Sequence, residues 1–393
     1  MLYISDSCTD PQQNLAAEEY LLKNFKEPIF RLWRNAPSII VGRYQNTLAE
    51  IDYNYVKENN ITVVRRLTGG GAVFHDLGNL NYTFIENKEN GEKREETNAM
   101  FRRFTKPIIE ALRAINVNAS LEGRNDLLIE GRKFSGNAIC IHKNRILQHG
   151  TLMFDVSTNN LSAALRSRPE KFQDKAVKSN RSRVTNIKEH LTLAGIRKSL
   201  LAYNLLKERA LELQRLDSKP TLKDADVIWF MNYLGAYITA RQSQNASQPQ
   251  EARQSQKDSQ PQEARQPQQT DQPQQTIIPY SYTPQQQKEI DALTLKRYST
   301  DKWNYGHSPK YTFGTIKKLK GGIMEFYVTV DKGIITKLDI RGDYFFTNPT
   351  EEFIKQMVGT PHTKEEIAKK IGALNLNAYF ADTQPEDIVN LFF

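Results

Sequence analysis

Three consecutive glycines, Gly69, Gly70 and Gly71, stand between two strand-like runs, TVVRRL and NLNYTFI, and constrain the fold more than any other feature of the chain. Such a run belongs neither inside a helix nor inside a buried strand, because glycine loses more backbone freedom on ordering than any other residue. The chain must turn there, with dihedrals closed to other residues and with N–H groups able to approach an anion. The full stretch is RRLTGGGAVFHDLGNLNYTF, Arg65 to Phe84. Arg65 and Arg66 precede the glycines and His75 follows them, so the turn reads as an electropositive cradle more than as a bare strand connection. It matches neither GxxxxGK[ST] nor GxGxxG, which excludes a Walker loop and a dinucleotide fingerprint.

A second stretch, GRNDLLIEGRKFSGNA from Gly123 to Ala138, sets Lys133 among Arg132, Ser135 and Asn137, with Gly131 and Gly136 on either side. Glycines and small polar neighbours suit close backbone packing about a ligand. A lysine there is a mobile point charge for a transferring phosphoryl group or a leaving pyrophosphate. An exposed hairpin lysine is the plainer alternative. Asn125-Asp126 fits an adenine–ribose edge, a Mg2+ shell or an Asx turn equally well. His149 opens HGTLMFD, His149 to Asp155, with no HxH, HExxH or CxxC arrangement, so metal ligation has little support. Asp76 beside His75 is no acid–base pair, because neighbours in a strand face opposite ways. Cys140 lies in ICI and reads as a buried, inert thiol.

The chain has 393 residues, enough for two or three domains. Its formal charge is +9, from 54 basic and 45 acidic residues, which favours acidic partners without naming one. Cys8 and Cys140 are far apart and make neither a disulfide framework nor a metal motif, so a reducing cytoplasm is the expected setting. The N-terminal residues lack the basic start and apolar run of a signal peptide. No window approaches the roughly 18 apolar residues of a membrane span. No interleaving of aromatic and basic residues suggests a nucleic-acid stacking platform.

Residues 1 to 241 read as one α/β unit. Thr9 or Asp10 caps a helix at Pro11, with Leu15, Ala16, Tyr20 and Leu21 on one side. IFRLWR and SIIVGRY are strands with Asn35-Ala36-Pro37 turning between them. Residues 97 to 117 form a helix with Phe101, Phe104, Ile108, Ile109 and Leu112 on its buried face. Short hairpin strands follow, joined at Glu130-Gly131 and Lys143-Asn144, and residues 196 to 216 form a second amphipathic helix. Residues 242 to 276 are a Gln/Pro-rich tract with an imperfect repeat, QPQEARQSQ and QPQEARQPQ, and almost nothing to bury, so disorder is expected. Residues 277 to 393 then read as a helix opened by Thr283, Pro284 and Gln286, followed by a small α+β module. Its antiparallel strands span 311 to 346, and Thr363 and Glu366 open a later helix with a capping box.

At this point the chain closely resembles the lipoate–protein ligase A family, which is related in fold to biotin protein ligases. RRLTGGGAVFHDLGNLNYTFI resembles its lipoate-binding loop, GRNDLLIEGRKFSGNA its lysine motif and RPEKFQDKAVKSNRSRVTNI its adenylate-binding loop; KWNYGHSPKYTF resembles the start of its accessory domain. The resemblance covers nearly everything outside 242 to 276. It implies an α+β catalytic domain of mixed sheets with helices, plus a small α+β C-terminal domain. It implies the activation of lipoate by ATP to lipoyl-AMP, and transfer of the lipoyl group to an acceptor lysine; Mg2+ is expected with ATP, because the phosphates need a counterion and an in-line geometry. Carried over residue by residue, Lys133 contacts the carboxylate and α-phosphate. Arg66, Gly71, Ala72, Val73 and His75 wrap lipoyl-AMP. Asn125, Asp126, Ser135, Gly136, Ala138, His149 and Thr151 line the adenylate side. Leu15, Glu18 and Trp33 lie near the lipoyl tail, and Lys178, Arg181 and Arg183 belong to the loop closing over AMP. The acceptor would be the glycine-cleavage H protein or a 2-oxoacid dehydrogenase E2 domain, with no nucleic acid or membrane partner, and the ligase would be a monomer. Two alternatives remain: a cysteine-dependent octanoyl or lipoyl amidotransferase, for which Cys140 is the nearby thiol, and a surface or polyanion-binding protein.

Overall fold

The structure is a computed structural model that describes residues 1–88, 97–157, 164–165, 172–174, 184–192, 194–195, 227–245, 278–306, 308–320, 322–342, 348–380 and 383–393. The helix expected at 196 to 216 lies outside these residues, as does the Gln/Pro-rich tract beyond Asn245.

The first strands are β1 (Leu2–Ser5), β2 (Ile29–Arg34), β3 (Ser38–Val41), β4 (Thr62–Arg65), β5 (Val73–His75) and β6 (Asn79–Asn87). After the helix Thr97–Ala114 come β7 (Ala119–Glu122), β8 (Asp126–Ile129), β9 (Arg132–His142), β10 (Arg145–Met153) and β11 (Phe172–Asp174). The chain ends with β12 (Ile278–Pro279), β13 (Tyr311–Leu319), β14 (Gly322–Asp331) and β15 (Ile334–Gly342), interleaved with short helices. Among the described residues they form an eight-stranded sheet in the order β12-β1-β2-β6-β10-β9-β8-β7, a three-stranded sheet β4-β3-β5 and a four-stranded sheet β11-β13-β14-β15.

The two strands either side of Asn35-Ala36-Pro37 form as the sequence predicts, but they belong to different sheets. β2 pairs with β6 in the large sheet, while β3 pairs with β5 in the small one. One two-stranded ribbon therefore bends from the first sheet into the second at residues 35–37 and 76–78, and the bend forms a corner. The hairpins at 130–131 and 143–144 also form, because Glu130, Gly131 and Lys143 adopt φ of 50°, 71° and 52° and reverse the chain tightly. The strands they join are longer than expected, 11 residues for β9 and 9 for β10.

The helix Pro11–Asn24 starts at Asp10, whose carboxylate accepts from Gln12 N at 2.7 Å and Gln13 N at 3.2 Å. It is buried on both faces, carrying Glu18 and Glu19 inward as well as its apolar residues. The helix expected over 97 to 117 stops at Ala114, because Asn116 turns to φ 64° and sends Val117 back into the core. The helix Val227–Asn245 carries Trp229, Phe230 and Tyr233 into the same core and extends into the start of the polar tract.

The C-terminal elements are joined to the rest by packing. Ile39, Val41 and Phe74 share one apolar cluster with Phe313, Phe326, Phe353 and Phe392. β12 pairs with β1, and β11 with β13. The helix Pro284–Leu293 opens with the expected capping box at Thr283 and Gln286 and lies along the first helix, where Tyr20 OH donates to Glu289 at 2.6 Å. At Thr363 only half of the expected box forms: its hydroxyl accepts from Glu366 N at 3.4 Å, and no return bond from the Glu366 side chain is present.

Candidate active site

A cavity of about 760 Å³ opens where the ribbon bends, between the large and small sheets. Its walls bring together Gly69, Gly70 and Gly71 from the turn before β5, Lys133, Gly136 and Ala138 from β9, and His149 and Thr151 from β10. Arg66, Ala72, Val73, His75, Asn125 and Asp126 line it as well, and Leu15, Trp33 and Ile40 supply an apolar end. Two residues expected on the wall are set behind it. Glu18 is buried under His149. Ser135 is 1% exposed and accepts from Asn137 Nδ2 at 3.3 Å. A bulge explains Ser135: Leu127 pairs with it and Leu128 with Lys133, so Phe134 is the extra residue. The strand alternation resets there, and Lys133 shares its face with Gly136 instead. Lys178, Arg181 and Arg183 lie outside the described residues, but Thr185 N bonds Lys133 O at 3.0 Å, so the chain returns to Lys133 just after them.

The positive residues divide their work in a way the motif does not reveal. Arg65 was expected in the cradle, yet it is fully buried and turned away from the cavity. Its Nη1 donates to the carbonyls of Gly42, Arg43 and Gln45 at 2.9–3.0 Å, and its Nε to Trp303 O at 3.1 Å. Burial, with Arg66 close by, lowers its pKa to about 10. Arg66 spends Nε on Thr68, Nη1 on Ile40 O and both N–H groups of Nη2 on Gly69 O and Gly71 O, all at 2.8–2.9 Å. It therefore shapes the glycine turn more than it offers a free fork to a ligand. Gly70 sits at φ 94°, where a side chain would be strained. Arg124 and Lys133 also bring cations to the cavity, and Lys133 Nζ stands 2.9 Å from Asp126 Oδ1 with both side chains of that pair about one third exposed or less.

A buried polar chain runs behind the apolar end. Trp33 Nε1 donates to Thr83 Oγ1 at 2.9 Å, and Thr83 donates to Glu18 Oε1 at 2.5 Å. Glu18 Oε2 meets His149 Nδ1 at 3.0 Å, and His149 Nε2 meets Thr68 Oγ1 at 2.8 Å. Burial pushes the Glu18 carboxyl up, but His149 and Thr83 outweigh it and hold the group below its usual range. His75 is held neutral: burial, with Arg66 and His149 adding to it, lowers its pKa to about 3. Asn125 is tied to β9, its Nδ2 donating to Asn137 O at 2.5 Å, so it braces the strand as well as lining the cavity.

Asn137, a polar neighbour of Lys133 in its motif, also lines the cavity, as do Asn81 and Tyr44, which were not picked out from the sequence. The alternation Asn79, Asn81, Thr83 along an otherwise apolar strand is the pattern that marks a polar wall. Among the described residues, no group of three or more His, Cys, Asp or Glu could hold a metal ion.

Comparison with known proteins bears on this site. Residues 10–203 match the model of the lipoyl protein ligase A/B catalytic domain, and residues 308–392 match that of the bacterial lipoate protein ligase C-terminus. The chain is 34% identical over 396 residues to lipoate-protein ligase LplJ of Bacillus subtilis, covering 100% of each. The fold is shared with P. falciparum LipL1 in complex with lipoate, with a TM-score of 0.50, 22% identity and coverage of 99% of this chain and 97% of that one. It is shared too with lipoate-protein ligase A bound with ATP, with a TM-score of 0.52, 20% identity and coverage of 78% and 100%.

Proposed function

The chain belongs to the lipoate–protein ligase family, and from that premise we infer that it activates lipoate with ATP and ligates the lipoyl group to a lysine of an acceptor domain. The observation that carries this reading is the meeting of the glycine turn with the Lys133–Asp126 pair in one cavity that has an apolar end. An acyl chain fits that end. A nucleotide phosphate fits the turn and the lysine.

A carboxylate is a poor acyl donor until it is joined to a phosphate, and negative charge accumulates as that bond forms. We assign Lys133 to that charge, where it exchanges Asp126 for the α-phosphate and carboxylate oxygens. The N–H groups of Gly69 to Gly71, Ala72 and Val73 face the acyl-adenylate, held in shape by Arg66. Leu15, Trp33 and Ile40 exclude water from the tail, with His149 on the cavity wall and Glu18 behind it. Asn125, Asp126, Gly136, Ala138 and Thr151 take the nucleotide side, and Ser135 supports them from within the strand. Lys178, Arg181 and Arg183 would close over AMP. Asp126 and Glu122, carboxylates on the cavity wall, would hold a Mg2+ ion together with the substrate phosphates, and the ion would offset the phosphate charge.

The acceptor we propose is the glycine-cleavage H protein or a 2-oxoacid dehydrogenase E2 domain, met by a monomeric ligase in the cytoplasm. The formal charge of +9 agrees with an acidic carrier. None of the helices among the described residues is long and apolar enough to cross a membrane. We also propose the division into a catalytic domain at 1–241, a Gln/Pro-rich insertion at 242–276 and a linker helix with accessory domain at 277–393. The cysteine-dependent alternative depends on Cys140. That thiol is only half-buried, burial pushes its pKa up, and it pairs across from Leu147, away from the cavity lining. ATP-dependent lipoylation that survives Cys140→Ser separates the two readings, and its loss in that variant would favour the transferase.

A further inference from the structure

Two buried N–H donors on residues of the cavity wall have no partner among the described residues. They are Nε2 of His75, a residue 3% exposed, and Nδ2 of Asn81, 2% exposed, and both residues line the wall. Buried polar groups are rarely left unpaired, so each points to an acceptor that the protein does not supply.

Which atoms carry the hydrogens is set by a chain of side chains that begins at an obligatory donor. The guanidinium of Arg31 can only donate, and its Nη2 lies 2.5 Å from Asn14 Oδ1. Asn14 Nδ2 donates to Asn35 Oδ1 at 3.0 Å, which turns the Asn35 amide so that its Nδ2 donates to His75 Nδ1 at 3.0 Å. The Nδ1 of a neutral His75 therefore accepts, and its proton sits on Nε2. Asn79 Nδ2 donates to Asn81 Oδ1 at 2.9 Å, which leaves Asn81 Nδ2 without an acceptor among the described residues.

The two donors stand at the corner of the bent ribbon. His75 ends β5, its ring 6.4 Å from that of Trp33, and Asn81 is the strand neighbour of Trp33. On the other side of Asn81 is Thr151, whose Oγ1 accepts from Gly136 N at 3.1 Å. A Cβ placed on Gly136 would lie 3.3 Å from Lys133 Nζ. One row across β6, β10 and β9 thus leads from Asn81 to the lysine assigned to the phosphate.

We propose that His75 Nε2–H and Asn81 Nδ2–H bind the acyl carbonyl oxygen of the adenylate and stabilise the oxyanion that forms when the acceptor lysine attacks. The proposal rests on the ligase reading and deepens it. The acceptor amine forms the C–N bond with its lone pair, and the carbonyl π pair moves onto oxygen. That pair then returns as the C–O bond to phosphate breaks, AMP leaves with the bonding electrons, and the surplus amine proton passes to solvent. A lipoyl group offers other acceptors only at its ring sulfurs, which are weak. Neutral donors suit an oxygen whose charge grows during the reaction.

Single-turnover transfer to an apo acceptor domain, from preformed lipoyl-AMP and separately from preformed octanoyl-AMP, tests this. Asn81→Leu and His75→Phe keep volume and remove a donor, while His75→Gln restores an N–H near the same place. Each of the first two variants should lower the transfer rate by roughly 100-fold with both acyl groups, with His75→Gln recovering most of the loss and melting temperatures confirming folded protein. A loss confined to the lipoyl compound would mean that the donors read the ring sulfurs. A rate within about two-fold of wild type would mean that they do not face the reacting carbonyl. Either result overturns the proposal. A wild-type protein that transfers neither acyl group would instead overturn the ligase reading, and it is seen before any variant is compared.

Discussion

Replacing Gly42 by alanine would place a methyl carbon 2.0 Å from the carbonyl oxygen of Gly70, where ordinary contact begins near 3.4 Å. The two backbones must part by more than about 1 Å. Gly42 has little room to yield. Its carbonyl accepts from the buried Arg65 at 2.9 Å, and its N–H donates to Gln45 Oε1 at 2.9 Å. The displacement falls on the glycine turn, which faces the ligand. A misplacement of about 1 Å at a positioning element costs on the order of 100-fold in rate, and overpacking costs about 1–3 kcal/mol of stability. Lipoate-dependent pyrophosphate release should therefore show kcat/KM reduced roughly 100-fold in a Gly42→Ala protein that remains folded with a lowered Tm. Wild-type kcat/KM in this variant would show that the contact between Gly42 and Gly70 does not set the shape of the cradle.

Three further outcomes follow from the packing. Arg65→Lys should cost about 2–4 kcal/mol in urea denaturation, since one ammonium cannot span the carbonyls of Gly42, Gln45 and Trp303; an unchanged midpoint would refute that. Burial lowers the pKa of His362 from 6.5 to about 4, so its contribution to stability is complete above about pH 6.5 and is lost as the pH falls towards 4, where the unfolded chain binds the extra proton. Between pH 7.5 and 4.5 this amounts to about 2 kcal/mol, and His362→Gln should flatten that part of the Tm profile; equal acid sensitivity in both proteins would contradict it. Replacing residues 246–276 with a Gly/Ser linker of half the length should leave ligation within about two-fold, because the tract has almost nothing to bury, and a larger loss would assign it a role.

Local chemistry was legible where the controlling residues are close in sequence. Asp10 before Pro11, the turns at 130–131 and 143–144, and Thr283 with Gln286 each carry their own geometry in a few residues. The separation of Arg65 from Arg66 was not legible. Adjacent arginines look alike in a motif, but Arg65 faces Trp303 and Asn304, which come from the far side of the polar tract. Glu19 tells the same story: besides Lys23 in its own helix its partners are Arg297 and Tyr298, and without those two a carboxylate in an amphipathic helix reads as surface. Ser135 was misplaced because a bulge is a property of the pairing and leaves no mark in one strand. Asn81 and Gly42 did leave marks, a polar residue at every second position of an apolar strand and a glycine closing the run SIIV, but neither belongs to the glycine turn or to the lysine motif.

The most direct test of the central claim is the mass of an apo acceptor domain, an H protein or an E2 lipoyl domain, after incubation with the enzyme, lipoate, ATP and Mg2+. The acceptor lysine should gain one lipoyl group in a reaction that requires ATP and is lost with Lys133→Ala, together with lipoate-dependent pyrophosphate release. No gain with the wild-type protein, a gain without ATP, or full activity in Lys133→Ala would contradict it.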